Sequence, residues 1–168
     1  MSNIKDVDGL RLIENFITEQ EENSLIENID RYDWSSEIAR RTQQYGYHYC
    51  YRLRGVDELN DEGAPTTPPI PEFLNFLIDR LAKLSDPVIP FTFDQVIINE
   101  YNKNQKIQPH IDSVTDWEST VDEVEIETPL PRRSLLVLQD DARYVWKHGI
   151  KSQNNGRRVS LTFRKYKS

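Results

Sequence analysis

Three side chains in the second half of the chain have the types and spacing of a mononuclear metal site. His110 and Asp112 are two residues apart, and His148 lies downstream of both. Alternate residues of an extended segment project from the same side, so His110 and Asp112 can reach one ion. Two imidazoles and one carboxylate on one face of the ion are a facial ligand set for non-haem iron(II). Alone, the His-x-Asp pair is weak evidence, because a solvated loop pair is the default interpretation of so short a motif.

Two segments around this pair have the pattern of strands with one polar face. Residues 96–101 are rich in β-branched side chains, and the period of two places Asn99 and Tyr101 on the same face. Residues 158–164 alternate polar and apolar side chains, which predicts a half-buried strand. Its polar face would carry Arg158, Ser160, Thr162 and Arg164. Because a guanidinium pairs bidentately with a carboxylate, two arginines there suit an elongated dianion. An edge strand with solvated arginines is the alternative.

The order of these motifs resembles that of the AlkB family of Fe(II)- and 2-oxoglutarate-dependent dioxygenases. The matching motifs are Asn99-x-Tyr101, His110-x-Asp112, His148 and Arg158-x-Ser160-x-Thr162-x-Arg164. Three further segments are most similar to the oxygenase domain of the tRNA-modifying eukaryotic AlkB homologue and its small relatives; they are residues 40–47, 130–137 and 143–150. The resemblance extends from about Leu10 to Tyr166. It implies an α+β fold whose double-stranded β-helix (jelly roll) core is buttressed by two helices.

The resemblance also implies a role for each motif. The iron ligands would be His110, Asp112 and His148. The residues that bind 2-oxoglutarate would be Asn99, Tyr101, Arg158, Ser160 and Arg164. Among these, the two arginines would pair with the two carboxylates. Ser160 stands where many members have Asn, and its shorter side chain can also form hydrogen bonds.

The implied reaction is the oxidation or removal of an alkyl group on a nucleic-acid base, with RNA or tRNA as the favoured substrate. An AlkB-like oxygenase that acts on a protein side chain is the alternative, as is a binding domain without catalysis. Residues 41–51 are the candidate substrate surface, since tyrosines can stack on bases and arginine can contact phosphate. Its predicted contacts are Arg41, Gln43, Tyr45 and Tyr47. A hairpin whose tyrosines pack on the core would explain the same pattern.

The segment between Asp112 and Leu130 departs from the family pattern. It is shorter by roughly fifteen to twenty residues, which is enough for about two strands of ordinary length. The fold is therefore expected to lack a strand pair after Asp112, either because the barrel is naturally pared down or because a stretch of the natural protein is missing from the sequence. The predicted metal ligands flank this segment.

Length and composition predict one domain over residues 1–168, with no apolar run long enough to span a membrane. The single cysteine, Cys50, is compatible with a reducing cytoplasmic or nuclear location. A monomer is expected. The net charge of -7 disfavours tight non-specific binding of nucleic acid, but residues 143–168 contain only basic charges. Two helices are expected, one from a capping box at Thr18-x-x-Glu21 and one over residues 71–84.

Overall fold

Helices and antiparallel strands are both present, so the chain has an α+β structure. The computed structural model describes residues 7–50, 55–56, 67–85, 89, 92–111, 126–152 and 156–165. They form two compact units, each built from two stretches of chain. The first unit draws on residues 1–24 and 107–151, and the second on residues 25–106 and 152–168. The single domain over residues 1–168 stays a prediction.

The secondary-structure elements are numbered in chain order. The strands are β1 (Leu10–Ile13), β2 (Arg41–Gly46), β3 (Tyr49–Cys50), β4 (Gly55–Val56), β5 (Gln95–Tyr101), β6 (Ile107–His110), β7 (Leu135–Leu138), β8 (His148–Ile150) and β9 (Arg158–Arg164). The helices are α1 (Glu19–Ile29), α2 (Asn75–Ala82) and α3 (Asp140–Tyr144). Within the described residues, no helix is long and apolar enough to cross a membrane.

Both helices expected from the sequence are present. The Thr18 backbone N–H donates to Glu21 Oε2 at 2.8 Å, and the Glu21 N–H donates to Thr18 Oγ1 at 3.2 Å. These reciprocal bonds satisfy two N–H groups at the start of α1, as a capping box does. The second expected helix is a 3-10 turn at Glu72–Leu74 that continues into α2. Pro71 directly precedes that turn, where its missing N–H costs no helical hydrogen bond.

The first unit contains two antiparallel strand pairs. Strand β1 pairs with β7, and β6 pairs with β8. The start of α1 is tied to the segment before β7 by Glu22, which accepts hydrogen bonds from Arg132 and Arg133 at 3.1 Å. In the same unit, the N–H of Ile17 donates to the carbonyl of Arg133 at 3.3 Å.

A three-stranded antiparallel sheet in the order β2-β5-β9 organises the second unit. Its register aligns Thr42, Asn99 and Ser160 across the three strands. Because side chains alternate between faces, the two faces differ in character. One carries the polar residues of β9 and will be called the polar face. The other will be called the helix face, because Gln43 on it donates hydrogen bonds to the carbonyl of Ile29 at the end of α1.

The helix face holds the apolar core of this unit. Val96 and Ile98 on β5 are fully buried, as are Ile29 of α1 and Leu74 before α2. Complete burial of one such side chain contributes about 1.5–3 kcal/mol, whereas a hydrogen bond between neutral groups contributes about 0.5–1.5 kcal/mol. On the same face, the Phe163 ring of β9 packs edge-on against Phe93, with centroids 5.5 Å apart. The apolar positions of β5 and β9 therefore fix which way their polar positions point.

An ion cluster crosses the helix face at one end of the sheet. Glu100 is 1% exposed and accepts hydrogen bonds from Arg41 at 2.5 and 2.9 Å and from Arg157 at 2.7 Å. Arg157 also pairs with Asp30, just beyond α1, through two hydrogen bonds of 2.7 and 2.5 Å. The Arg41 guanidinium stacks over the Trp34 ring at 5.0 Å. The hydrogen bonds from Arg41 lower the pKa of the Glu100 carboxyl, and the hydrogen bond from Arg157 lowers it further.

We expect Glu100→Gln to lower the free energy of unfolding by about 1–3 kcal/mol at neutral pH, because hydrogen bonds to a charged acceptor are lost. The folded-state pKa of Glu100 lies below its usual value of 4.5. Its contribution is therefore complete above the unfolded-state pKa and is lost as the pH falls through the folded-state pKa. Urea titrations at pH 7 and pH 3 should show the difference from wild type shrinking in acid.

The matched control is Glu27→Gln, which removes the same charge from an exposed position of α1. Its free energy of unfolding should remain within about 0.5 kcal/mol of wild type, as for most surface substitutions. An equal loss in both variants would show that net charge, and not the ion cluster, is responsible.

Candidate functional site

The two histidines expected to bind metal face each other across a strand pair in the first unit. His110 ends β6 and His148 begins β8, and the register pairs them directly. Their ring centroids are 4.5 Å apart, with 54° between the ring planes. The structure thus brings together two imidazoles that are 38 residues apart in the sequence.

A bulge in β6 creates this pairing. The register pairs Ile107 with Ile150 and then His110 with His148, so β6 spans three steps where β8 spans two. An extra residue in one strand bends it and changes the direction of its side chains. Gly149 permits the close approach, because a Cβ atom there would lie 2.9 Å from the carbonyl oxygen of Ile107 and 3.0 Å from the nitrogen of Pro109.

The hydrogen bonding of His110 suits a metal ligand. Its Nδ1 lies 2.9 Å from the carbonyl oxygen of Gln108. Since a carbonyl only accepts, Nδ1 carries the proton and the lone pair is on Nε2, which is the tautomer that ligates through Nε2. Asp112, the third expected ligand, lies outside the described residues, and the described residues contain no cluster of three or more ligand-type side chains. The complete triad therefore stays a prediction.

The residues expected to hold 2-oxoglutarate lie together on the polar face of the second unit. Asn99 is opposite Ser160, and Tyr101 is opposite Arg158. Ser160 lies diagonally across from Tyr101, and its side chain opposes the rise in the pKa of the Tyr101 phenol. Arg164 shares this face by the alternation of β9. The structure confirms the predicted strand at Arg158–Arg164 and the shared face of Asn99 and Tyr101.

Arg158 has the surroundings of an anion-binding residue. Its guanidinium lies 5.6 Å from the centroid of the Tyr101 ring. The Nη1 atom is buried and has no hydrogen-bond partner among the described residues. Burial lowers the pKa of Arg158, because a cation loses hydration there. A carboxylate that paired with this guanidinium would satisfy the donor and offset the loss of hydration.

Arg164 is held at the other end of the same strand. Its guanidinium lies 5.3 Å from the centroid of the Tyr49 ring. The Gln44 side chain fixes Tyr49, since its Oε1 accepts from the Tyr49 N–H at 2.7 Å and its Nε2 donates to the Tyr49 carbonyl at 3.1 Å. Six residues separate the two arginines of β9, or about 20 Å along an extended strand. Their long side chains can shorten the gap.

Arg40 is a residue of the polar face that the sequence did not single out. Its Nε donates to Asn99 Oδ1 at 2.8 Å, and its guanidinium lies 5.6 Å from the centroid of the Tyr101 ring. The doublet Arg40-Arg41 is visible in the sequence, but only the contacts of Arg40 with Asn99 and of Arg41 with Glu100 show that the two guanidinium groups lie on opposite faces. Burial raises the pKa of Tyr101, and the charges of Arg40 and Arg158 oppose that rise.

Residues 41–46 of the expected substrate surface form strand β2, which is paired along its length with β5. Arg41 binds Glu100, and Gln43 donates to the carbonyls of Ile29 and Tyr32 at 2.9 and 3.1 Å. Tyr45 is 4% exposed, and burial raises its pKa to about 12.

These three side chains lie on the helix face and have structural partners. They therefore fit the alternative, in which the segment packs on the core, better than they fit an exposed substrate surface. Gln43 and Tyr45 also line a cleft of about 370 Å³ together with Tyr32 and His48. Tyr47 follows β2, and its carbonyl accepts a hydrogen bond from Gln95 Nε2 at 2.7 Å.

Comparison with known protein families identifies the family to which the chain belongs. The family described as the 2OG-Fe(II) oxygenase superfamily matches residues 9–124. The chain belongs to the 2OG-Fe(II) oxygenase superfamily. As a member it is an oxidoreductase whose cofactors are Fe(II) and 2-oxoglutarate. Two facing imidazoles fit Fe(II), and the half-buried Arg158 guanidinium with its unsatisfied Nη1 atom fits a carboxylate of 2-oxoglutarate.

Three relatives illustrate the range of proteins similar to this oxygenase. It is 29% identical to uncharacterized protein L905 of Acanthamoeba polyphaga mimivirus, covering 98% of this chain and 88% of that protein. It is 28% identical to the DNA N6-methyl adenine demethylase of Caenorhabditis elegans, covering 95% and 60%. It is 27% identical to the tRNA (carboxymethyluridine(34)-5-O)-methyltransferase alkbh8 of Xenopus tropicalis, covering 84% and 25%. The oxygenase thus spans a quarter of the frog protein.

The alignment with the mimivirus protein bears on the shortened segment. It extends over 194 positions, whereas the oxygenase has 168 residues, so at least 26 positions have no counterpart here. This number exceeds the roughly fifteen to twenty residues expected to be absent after Asp112, and the place of the shortening stays a prediction. Among solved structures, the fold is similar to one titled "The structure of OsALKBH1", with a TM-score of 0.64 and 16% identity over 94% of this chain and 97% of that one.

We expect His110→Ala and His148→Ala each to weaken Mn(II) binding by at least about tenfold, because each removes one imidazole from the expected ligand set. Calorimetric titration of the purified oxygenase with Mn(II) measures the effect. His48→Ala is the matched control, because His48 lines the cleft beside β2 in the other unit. If His110→Ala and His148→Ala bind Mn(II) as tightly as His48→Ala does, the histidine pair is not the metal site.

Proposed function

We propose that the chain is an AlkB-type dioxygenase that oxidises or removes an alkyl group on a nucleic-acid base, with RNA or tRNA as the preferred substrate. The observation that carries this proposal is the polar face of the β2-β5-β9 sheet. There Arg158 is half-buried opposite Tyr101 and next to the Asn99–Ser160 pair, and its Nη1 atom is buried without a hydrogen-bond partner among the described residues. We propose further that the core is a double-stranded β-helix shortened after Asp112. The superfamily match and the similarity to OsALKBH1 support this fold.

The roles proposed for the polar face follow from the chemistry of the co-substrate. 2-Oxoglutarate is a dianion whose carboxylate oxygens only accept hydrogen bonds. Arg158 and Arg164 each offer a planar fork that matches one carboxylate. Asn99 and Tyr101 supply further donors on the same face as the arginines.

His110, Asp112 and His148 are the proposed ligands of Fe(II). Two imidazoles and a carboxylate are a donor set that would hold this metal. When bound, iron and 2-oxoglutarate couple the oxidation of a substrate C–H bond by dioxygen to the conversion of 2-oxoglutarate into succinate and carbon dioxide. The chain contributes the fixed position of each imidazole through the β6 bulge and Gly149.

An exposed segment directly before His148 is the proposed contact for the nucleic acid. Tyr144 and Val145 are 49% and 48% exposed, which is high for large apolar side chains. The Arg143 guanidinium stacks 5.3 Å from the centroid of the Tyr144 ring, and Lys147 is exposed. An aromatic ring with adjacent cations can stack on a base and hold its phosphate. This segment replaces the residues of β2 as the candidate substrate surface.

The basic C-terminal region adds less positive potential than its sequence indicates. Lys151 pairs with Glu127, Arg157 pairs with Asp30, and Lys165 pairs with Asp94 at 2.7 Å. With a net charge of -7, weak and salt-sensitive binding of nucleic acid is expected. The named activities of the nematode and frog relatives support a nucleic-acid substrate, and the frog relative favours tRNA.

The experiment that tests the function measures succinate release from 2-oxoglutarate with Fe(II). It is run without substrate, with methylated tRNA anticodon stem-loops, with methylated single-stranded DNA and with a methylated peptide. Stimulation by RNA above DNA supports the proposal, and stimulation by the peptide alone favours the protein-modifying alternative. If no succinate forms under any condition, the chain is a binding domain and the proposal is wrong.

We expect Arg158→Lys to weaken 2-oxoglutarate binding by about tenfold, because a single ammonium replaces a half-buried bidentate fork whose Nη1 atom is unsatisfied. Calorimetry on the Mn(II)-loaded protein gives the dissociation constant. Arg132→Lys is the control, because Arg132 makes an exposed ion pair with Glu22 in the other unit. An unchanged constant for Arg158→Lys would remove Arg158 from the co-substrate site.

We expect Tyr144→Ala to weaken binding of a fluorescent tRNA anticodon stem-loop by about fivefold or more, since stacking on one base contributes ~1–3 kcal/mol. Fluorescence anisotropy across a salt series measures this effect. Lys147→Gln should instead reduce the slope of affinity against salt concentration, because one phosphate contact is lost. Tyr32→Ala, which removes an exposed tyrosine of the other unit, serves as the control. Equal weakening by Tyr144→Ala and Tyr32→Ala would exclude the segment before His148 as the contact for the nucleic acid.

A further inference from the structure

Arg40 contacts two of the residues proposed to bind 2-oxoglutarate. Its Nε donates to Asn99 Oδ1 at 2.8 Å, and its guanidinium lies over the Tyr101 ring at 5.6 Å from the centroid. The side chain is half-buried and comes from the residue directly before β2. It therefore reaches the polar face from outside the two strands that carry the recognised motifs.

The hydrogen bond to Asn99 fixes which way the amide points. A guanidinium has donors and no acceptor, so the amide atom that faces Arg40 must be the oxygen. The Asn99 NH2 group must then point elsewhere along the polar face. Carboxylate oxygens only accept, so this NH2 group is the part of the amide that can bind 2-oxoglutarate. With the amide rotated by 180°, its oxygen would face the carboxylate and repel it.

Arg40 also affects the charge around Tyr101. The ring of Tyr101 has the guanidinium of Arg158 and that of Arg40 each 5.6 Å from its centroid. Two cations on one aromatic ring repel each other, and this cost falls when a dianion binds between or beside them. The neighbouring Arg41 lies on the helix face and binds Glu100, so the two arginines of the doublet have separate functions.

We propose that Arg40 is a positioning residue for 2-oxoglutarate, which it serves by holding the Asn99 amide with its NH2 group available to a co-substrate carboxylate. This inference rests on the proposed function in one respect, namely that Asn99 contacts 2-oxoglutarate. It extends the co-substrate site to a residue outside the motifs at Asn99-x-Tyr101 and in β9. Arg40 acts through Asn99 and is not itself required to touch the co-substrate.

A double-mutant cycle tests this proposal. The dissociation constant of 2-oxoglutarate is measured by calorimetry for wild type, Arg40→Met, Asn99→Ala and the double variant, all loaded with Mn(II). Each single variant should weaken binding by about tenfold, since a hydrogen bond to a charged group is lost. Because Arg40 acts through Asn99, the double variant should bind no more than about twofold more weakly than Asn99→Ala. Additive losses, on the order of a hundredfold, would overturn the positioning role.

Two further variants separate positioning from a general effect on folding. Arg40→Lys retains a donor and should restore binding to within about threefold of wild type. Asn99→Asp keeps the contact with Arg40 but presents a carboxylate oxygen to the co-substrate, so it should bind 2-oxoglutarate more weakly than Asn99→Ala. Binding by Asn99→Asp equal to or tighter than that by Asn99→Ala would contradict the proposal. Thermal unfolding of every variant, with Arg132→Gln as a charge-matched control, identifies losses due to misfolding.

The outcomes for the two proposals are distinguishable. If wild type binds 2-oxoglutarate and Arg40→Met binds it equally well, only the role of Arg40 is wrong. If Asn99→Ala binds as wild type does, Asn99 is not a co-substrate contact and Arg40 has nothing to position. If wild type itself does not bind 2-oxoglutarate in the presence of Mn(II), the proposed function and this inference are both wrong.

Discussion

The alternation of side chains along β5 and β9 is the constraint on which the co-substrate site depends. Glu100 and Arg157 bind each other in the ion cluster on the helix face. Neighbouring side chains of a strand point to opposite faces, so Tyr101 and Arg158 must point to the polar face. The apolar residues of both strands reinforce this choice by burial. Arg158 can therefore be held in a position where its own burial is unfavourable, because its neighbours fix the strand.

The histidine pair depends on a different kind of constraint. In the first unit an irregularity, and not a regular pattern, sets the geometry. The bulge in β6 and the absence of a side chain at Gly149 let His110 and His148 face each other. Such irregular positions are common beside functional sites, because a regular ladder offers fewer side-chain directions.

The sequence predicted the elements whose patterns are local. The strand at 158–164 followed from alternation, and helix α1 followed from the capping box at Thr18, because both signals lie within a few neighbouring residues. The role of residues 41–46 could not be predicted in this way, because Gln43 is satisfied by carbonyls of another element. The β6 bulge and the bond from Arg40 to Asn99 are likewise tertiary, and no local pattern encodes them.

The two arginine doublets, Arg40-Arg41 and Arg157-Arg158, affect how this chain should be aligned with its relatives. Arg41 and Arg157 bind Glu100 in the ion cluster. Arg40 and Arg158 instead contact Asn99 and Tyr101 on the polar face. An alignment shifted by one position still matches arginine with arginine, although it exchanges two unrelated functions. Identity of the residue type is thus insufficient evidence of equivalence at these positions, and the partner of each guanidinium is the better criterion.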